Sequence, residues 1–132
     1  MSQYLLDTNI CIFYLKGKFG LINKMASVGF SNCFISEITV LELKYGAACS
    51  DNPEKQSAKI NQLIKNLQIV PISSAIDIFP KEKALLRRNG LLIDDFDLLI
   101  GATAVANNLI MVTNNTKHFD RISKIRLEDW TL

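Results

Sequence analysis

With 132 residues the chain is long enough to bury one core and too short for two. Apolar side chains make up 48% and charged ones 21%, a globular balance that excludes an intrinsically disordered chain. The net charge of +2 excludes a protein that attracts nucleic acid through its overall charge, so any such binding must come from local patches.

In chain order, Gln3 to Leu6 reads as a short buried strand that runs into Asp7-Thr8-Asn9, three residues that favour a helix N-cap. Ile10 to Lys16 reads as a helix ended by Lys16-Gly17-Lys18, and Leu21 to Ser27 as a second one. Cys33 to Ile35 is a short β-type run. Ser36 then opens a helix to about Cys49, with Ile38, Leu41, Tyr45 and Ala48 on its apolar stripe. After the break at Asp51-Asn52-Pro53, Pro53 to Leu67 is amphipathic, with Ile60, Leu63, Ile64 and Leu67 inward and Lys55, Lys59 and Lys65 outward.

Ile69 to Ile72 reads as a strand whose Pro71 suits a sheet edge. Ser74 to Arg88 is a helical stretch in which Pro80 marks a kink or a restart, ended by Asn89-Gly90. Asp94 to Asn107 is apolar nearly all round and so belongs in the interior. Leu109 to Val112 is another buried strand. A polar turn at Asn114-Asn115-Thr116 follows, then a short turn holding Phe119, and a last strand near Ile125. Strands alternating with helices predict an α/β fold with a mainly parallel sheet covered on both faces and ligands at the carboxyl ends of the strands.

Cys11, Cys33 and Cys49 are odd in number and widely spaced, which argues against a disulfide framework or a zinc knuckle; all three read as small core residues. His118 is the sole histidine, so a histidine-rich zinc site is excluded. Tyr4 to Leu15 is too short to span a membrane and carries Asp7, and no small-residue cleavage site follows a basic start. The expected compartment is the cytoplasm, where thiols stay reduced.

Three acids stand where the chain should be buried, a placement that is costly unless the charge is compensated. Asp7 ends the first strand and also qualifies as a helix cap. Glu42 lies between Leu41 and Leu43; with Thr39 it could form a capping box, although Ser36 caps equally well one turn earlier. Asp94, Asp95 and Asp97 crowd the first turn of the most apolar helix, where one acid would satisfy the dipole and three repel each other. Of these, Asp97 precedes Leu98-Leu99-Ile100 and is expected to face inward. Hard oxygen ligands without Cys or His suit Mg²⁺, or Mn²⁺ in its place, and imply phosphodiester hydrolysis.

Leu5-Leu6-Asp7-Thr8-Asn9, Val40-Leu41-Glu42-Leu43 with Gly46, Asp97-Leu98-Leu99-Ile100 with Ala102, and Val112-Thr113-Asn114-Asn115-Thr116 with Phe119 follow one another in that order. This series resembles PIN-domain ribonucleases, and most of all the VapC toxins of bacterial VapBC toxin–antitoxin pairs, through to the closing Leu127-Glu128-Asp129-Trp130. The resemblance implies a single PIN-like nuclease domain over 1–132, a three-layer α/β/α fold, and Mg²⁺-dependent endonuclease activity on RNA, with tRNA anticodon loops prominent among targets. It also implies an antitoxin that covers the site. It puts the metal on Asp7 and Asp97, gives Glu42 a second ion or a water, and assigns Thr8 and Thr113 as hydroxyls at the site floor.

A fourth acid, common in the wider family, is replaced here by Asn115, with Asp120 the nearest carboxylate. Substrate contacts are expected from Lys117, His118, Arg121 and Lys124, or from Lys81, Lys83, Arg87 and Arg88. Ile12, Phe13, Leu15 and Phe19 read as core, as the antitoxin groove, or as a homodimer contact. Two other readings compete. A phospho-acceptor receiver domain would need paired acids after the first strand, where Asp7 stands alone, and an RNA- or partner-binding module would have lost catalysis with the fourth acid.

Overall fold

The computed structural model describes residues 2–132. Five strands, β1 (Tyr4–Leu6), β2 (Cys33–Ser36), β3 (Gln68–Val70), β4 (Ile110–Val112) and β5 (Leu127–Glu128), form one sheet in the order β3-β2-β1-β4-β5. Every neighbouring pair is parallel, so the sheet is wholly rather than mainly parallel. From β1 the chain first winds outward through β2 to β3, then returns to the other side of β1 with β4. The order therefore reverses between β1 and β4, and their carboxyl ends flank the crevice where ligands of open α/β sheets bind.

The side chains of β1 and β4 alternate between two cores. Leu6 and Val112 pack with Ile10, Cys11, Met25, Leu43, Ile60 and Leu63 on one face. That face is covered by α1 (Thr8–Leu15), α2 (Leu21–Val28), α3 (Glu37–Ala48) and α4 (Pro53–Asn66). Leu5 and Met111 point the other way, among Leu86, Leu98, Ile100, Phe119 and Ile122. There the cover is α5 (Ile78–Arg88), α6 (Asp95–Ala106) and α7 (Thr116–Phe119). This is the expected α/β/α sandwich, built on the two-residue period of a strand buried on both sides.

The helices end where local chemistry stops them. Asn89 and Gly90 close α5: Gly90 takes φ +67°, its N–H bonds to Arg87 O, and the Leu91 N–H returns to Leu86 O at 2.8 Å. Asn108 repeats the device after α6 at φ +55°, with Leu109 N–H on Ala104 O at 2.9 Å, and so sends the chain straight into β4. Pro80 proves to mark a restart, because a 3-10 turn over Ile72–Ala75 precedes α5 and Pro80 sits in the new helix's first turn. β3 ends at Val70 and is an edge strand, with Pro71 just beyond it.

Three expectations need correction. The buried face of α3 is Ile38, Thr39, Leu43 and Ala47, while Leu41, Tyr45 and Ala48 are exposed, so the packed stripe lies one step round the helix from the expected one. Cys11 and Cys33 are core residues, but Cys49 caps α3 in solvent. The last strand is Leu127–Glu128, just past Ile125, whose side chain packs beneath the sheet. Among the described residues no helix is long and apolar enough to cross a membrane.

Gly101, buried in α6, lets the segment after β4 approach closely: a Cβ there would collide with the Ile122 side chain and meet those of Ile125 and Phe119. Gly101→Val is expected to cost about 1–3 kcal/mol by overpacking, read as a lower urea midpoint at unchanged slope. An unchanged midpoint would show that the segment yields freely.

Candidate active site

Asp7 stands at the carboxyl end of β1, beside the end of β4, and is the N-cap of α1. The residue is only 5% exposed. Oδ1 accepts the Thr8 N–H at 2.8 Å, and Oδ2 accepts the Thr113 hydroxyl at 2.9 Å. Capping and site construction thus share one side chain, which leaves lone pairs on both oxygens for a cation. Thr113 is fully buried just past β4, and its hydroxyl oxygen also accepts the Asn115 N–H at 3.0 Å.

Ser36, not Thr39, caps α3: Ser36 Oγ accepts the Ile38 N–H at 3.0 Å. Glu42 therefore lies well inside the helix. Its Oε1 accepts the Thr8 hydroxyl at 2.7 Å. Thr8 is also 3.0 Å from the hydroxyl of Thr39, which is buried under the same turn. Asp7 and Glu42 are thereby linked through the two polar groups of Thr8.

Asp94 is the N-cap of α6, its Oδ2 accepting the Phe96 N–H at 3.0 Å. Asp95 points outward to Lys83 at 2.8 Å. Asp97, in the same first turn, is half-buried, with Oδ2 3.1 Å from His118 Nε2. The three acids of this turn thus divide into a cap, a surface ion pair and a site residue.

A cleft of about 810 Å³ is lined by Asp7, Thr8, Glu42, Asp94, Asp97 and Asn115, with Ile12, Leu41, Tyr45 and Phe96 on its walls. Asn115 occupies the place beside the acids, whereas Asp120 is exposed at the end of α7 and does not line the cleft. Burial raises the Asp7 carboxyl from an ordinary 3.8 to about 6, against the lowering effect of the Thr113 and Thr8 hydrogen bonds, and the charges of Asp97 and Glu42 raise it further. Asp97 is raised for the same first reason, burial, partly offset by His118 and reinforced by Asp94. The negative charge that helps to raise Asp7 and Asp97 is what a bound cation would relieve.

Among the described residues no three His, Cys, Asp or Glu side chains are close enough to hold an ion by themselves. The donors present are hard oxygens, few in number and facing an open cleft. That fits Mg²⁺, which keeps several waters and takes one or two carboxylates.

Of the basic groups expected at the substrate, none lines the cleft, and His118 alone touches an acid that does. Lys117, Arg121 and Lys124 are exposed outside the cleft, and Arg121 donates to Leu92 O. Lys83 is taken up by Asp95. Sequence reading passed over the parts played by Thr39, Tyr45 and Phe96. Thr39 could have been found, since it lies three residues before Glu42 on the same helical face; the two aromatics were hidden by the misplaced stripe of α3 and by the apolar run of α6.

The PIN domain family matches residues 4–125. The tRNA(fMet)-specific endonuclease VapC of Shigella flexneri is 35% identical over 132 residues, covering 99% of this chain and 100% of that one. Ribonuclease VapC2 of Rickettsia felis is 35% identical over 130 residues, covering 96% and 97%. The crystal structure of DNA-bound VapBC from Salmonella typhimurium superposes with a TM-score of 0.91 at 37% identity, covering 98% of this chain and 99% of that one. VapBC2 from Rickettsia felis, bound to a DNA fragment from its promoter, gives 0.89 at 33%, covering 96% and 98%. On these grounds, and with an acidic cleft at the switch point of a parallel sheet, the chain belongs to the PIN domain family and, within it, to the VapC ribonucleases.

Proposed function

We propose that this ribonuclease is the toxin of a toxin–antitoxin pair, an endoribonuclease that hydrolyses phosphodiester bonds of tRNA with Mg²⁺, or Mn²⁺ in its place, and so halts translation in the cytoplasm. The observation that carries the reading is the meeting of Asp7, Glu42 and Asp97 in one cleft, from three elements far apart in sequence. The tRNA specificity of the Shigella flexneri relative supports the substrate class.

Asp7 and Asp97 would hold the cation. When bound it would neutralise charge on the phosphate and on the departing oxygen. Thr8 N–H and the Thr113 hydroxyl fix the Asp7 carboxylate in one orientation. The Thr8 hydroxyl holds Glu42 Oε1, so the carboxylate would be oriented to take a proton from the water whose oxygen bonds to phosphorus as one P–O bond breaks, the departing oxygen taking a proton from solvent. Asn115, uncharged, lines the cleft where a fourth acid would add repulsion.

A groove of about 460 Å³ between α1, α3 and α4 is lined by Ile12, Leu15, Leu43, Ala47 and Ile60, with Lys16 and Lys59 beside them. It shares Ile12 and Glu42 with the cleft, so an antitoxin segment laid in it reaches the acids. The exposed Leu91 and Leu92 leave apolar surface for a homodimer.

The test is incubation of antitoxin-free protein with total tRNA. Discrete cleavage that needs Mg²⁺ or Mn²⁺, stops with EDTA and is lost in Asp97→Asn is expected. Intact tRNA with folded, RNA-binding protein would overturn the catalytic reading in favour of a binding module. Thr113→Val, which removes only the orienting hydroxyl, should lower the rate by about 10–100-fold, and a wild-type rate would remove Thr113 from the site.

A further inference from the structure

The cleft that is to bind a polyanion presents four carboxylates, Asp7, Glu42, Asp94 and Asp97, and among the described residues no lysine or arginine lines it. One divalent cation leaves that surface net negative, so the hold on a nucleotide must come in large part from something other than charge. The walls supply it. Tyr45 on α3 is 71% exposed, and Phe96 in the first turn of α6 is 41% exposed. Both line the same cleft as the acids, with Leu41 and Ile12 beside them.

Neither ring is there for the core. Phe96 is the outlying aromatic of a helix whose other large apolar residues are buried or half-buried, and its backbone is pinned by the Asp94 cap. Tyr45 lies one step round α3 from the buried Ile38, Thr39, Leu43 and Ala47. Leaving such rings in water forfeits burial energy, a cost that recognition of a flat apolar ligand recovers. A nucleobase has two such faces, but only when it is unpaired and unstacked.

Building on the ribonuclease reading, we infer that Tyr45 and Phe96 are specificity-determining residues that stack on unpaired bases flanking the scissile phosphate, so that the enzyme selects single-stranded or loop RNA through base faces. Paired RNA offers its phosphates to the acids while its bases stay stacked inside the helix, out of reach of both rings.

Two readouts test this. The first is kinetic, with tRNA as substrate. Tyr45→Ala and Phe96→Ala should each raise KM roughly tenfold or more, Tyr45→Phe should retain wild-type KM, and Tyr45→Leu, equally apolar but without a flat π face, should behave like alanine. The second is binding to the cleavage-silent Asp7→Asn protein. A short oligoadenylate carrying 2-aminopurine should be quenched on binding, the same strand annealed to oligouridylate should not, and Phe96→Ala added to Asp7→Asn should abolish the quench.

Wild-type KM in both alanine variants, rescue by Tyr45→Leu, or equal affinity for paired and unpaired strands would overturn the inference. So would alanine variants that cleave normally and lose only the antitoxin, which would make the rings a protein-docking surface. If the wild type cuts no RNA while the ring-dependent quench persists, the ribonuclease reading fails and the stacking site stands.

Discussion

Asp7→Asn is expected to abolish cleavage and, in the absence of metal, to make the protein more stable. The first half follows from position. Asp7 alone joins the end of β1, the Thr113 hydroxyl beyond β4 and the cleft. Loss of one charged ligand forfeits several kcal/mol of transition-state charge stabilisation, about a thousandfold or more in rate. The second half follows from burial. Unfolded Asp7 ionises near 3.8 and folded Asp7 near 6, so between these values the folded chain holds more proton than the unfolded one. Stability contributed by this group is therefore full below pH 4, falls as pH rises to about 6, and stays low above it; a difference of this size corresponds to about 3 kcal/mol.

Asparagine keeps one acceptor, Oδ1, for the Thr8 N–H, while its NH2 takes the place of Oδ2 and donates to the Thr113 oxygen, reversing that bond; with the charge removed it should recover about 1–3 kcal/mol at pH 7. Urea midpoints of wild type and variant, measured without metal from pH 4 to 8, should diverge as pH rises, with the variant the more stable. A variant less stable than wild type at pH 7 would mean that the ionised carboxylate is a structural asset and not a charge held in readiness. A stable, folded variant that still cleaves would remove Asp7 from the chemistry.

Addition of Mg²⁺ or Mn²⁺ to protein stripped with EDTA should raise Tm substantially. An ion that binds only the folded state stabilises it by about 2.7 kcal/mol at a hundred times its Kd, roughly 8–10 °C for a chain of this length. The rise should be steeper at pH 7 than at pH 5, because below about 6 the Asp7 carboxyl is protonated and the ion must displace that proton. Asp7→Asn and Asp97→Asn should each flatten the response, whereas Asp95→Asn should not, since Asp95 faces Lys83 away from the cleft. A Tm indifferent to both ions, or an equal rise in the Asp7 and Asp97 variants, would place the cation elsewhere.

Much of this architecture was legible in the residues. The apolar runs of Tyr4–Leu6 and Ile110–Val112, the Ser36 cap and the Asn89-Gly90 stop all act within one turn or one strand, so local sequence is enough to find them. The acids were legible because a carboxylate between buried apolar neighbours is conspicuous. The faces of α3 were not. Leu41 and Tyr45 look like core by composition, and only the packing of α3 against β2 and α4 decides that Leu43 and Ala47 go in and Tyr45 goes out.

What the sequence by itself determined, then, is most of the elements, the α/β class and which carboxylates stand beside buried apolar residues, because capping, apolar runs and the cost of burying charge depend on near neighbours. What only the tertiary structure decided is which groups meet. Thr8 joins Asp7 to Glu42 across 34 positions, Thr113 reaches Asp7 across 106, and His118 reaches Asp97 across 21. Such pairings follow from the strand order β3-β2-β1-β4-β5, which brings the ends of β1 and β4 side by side, and no local propensity encodes that neighbourhood.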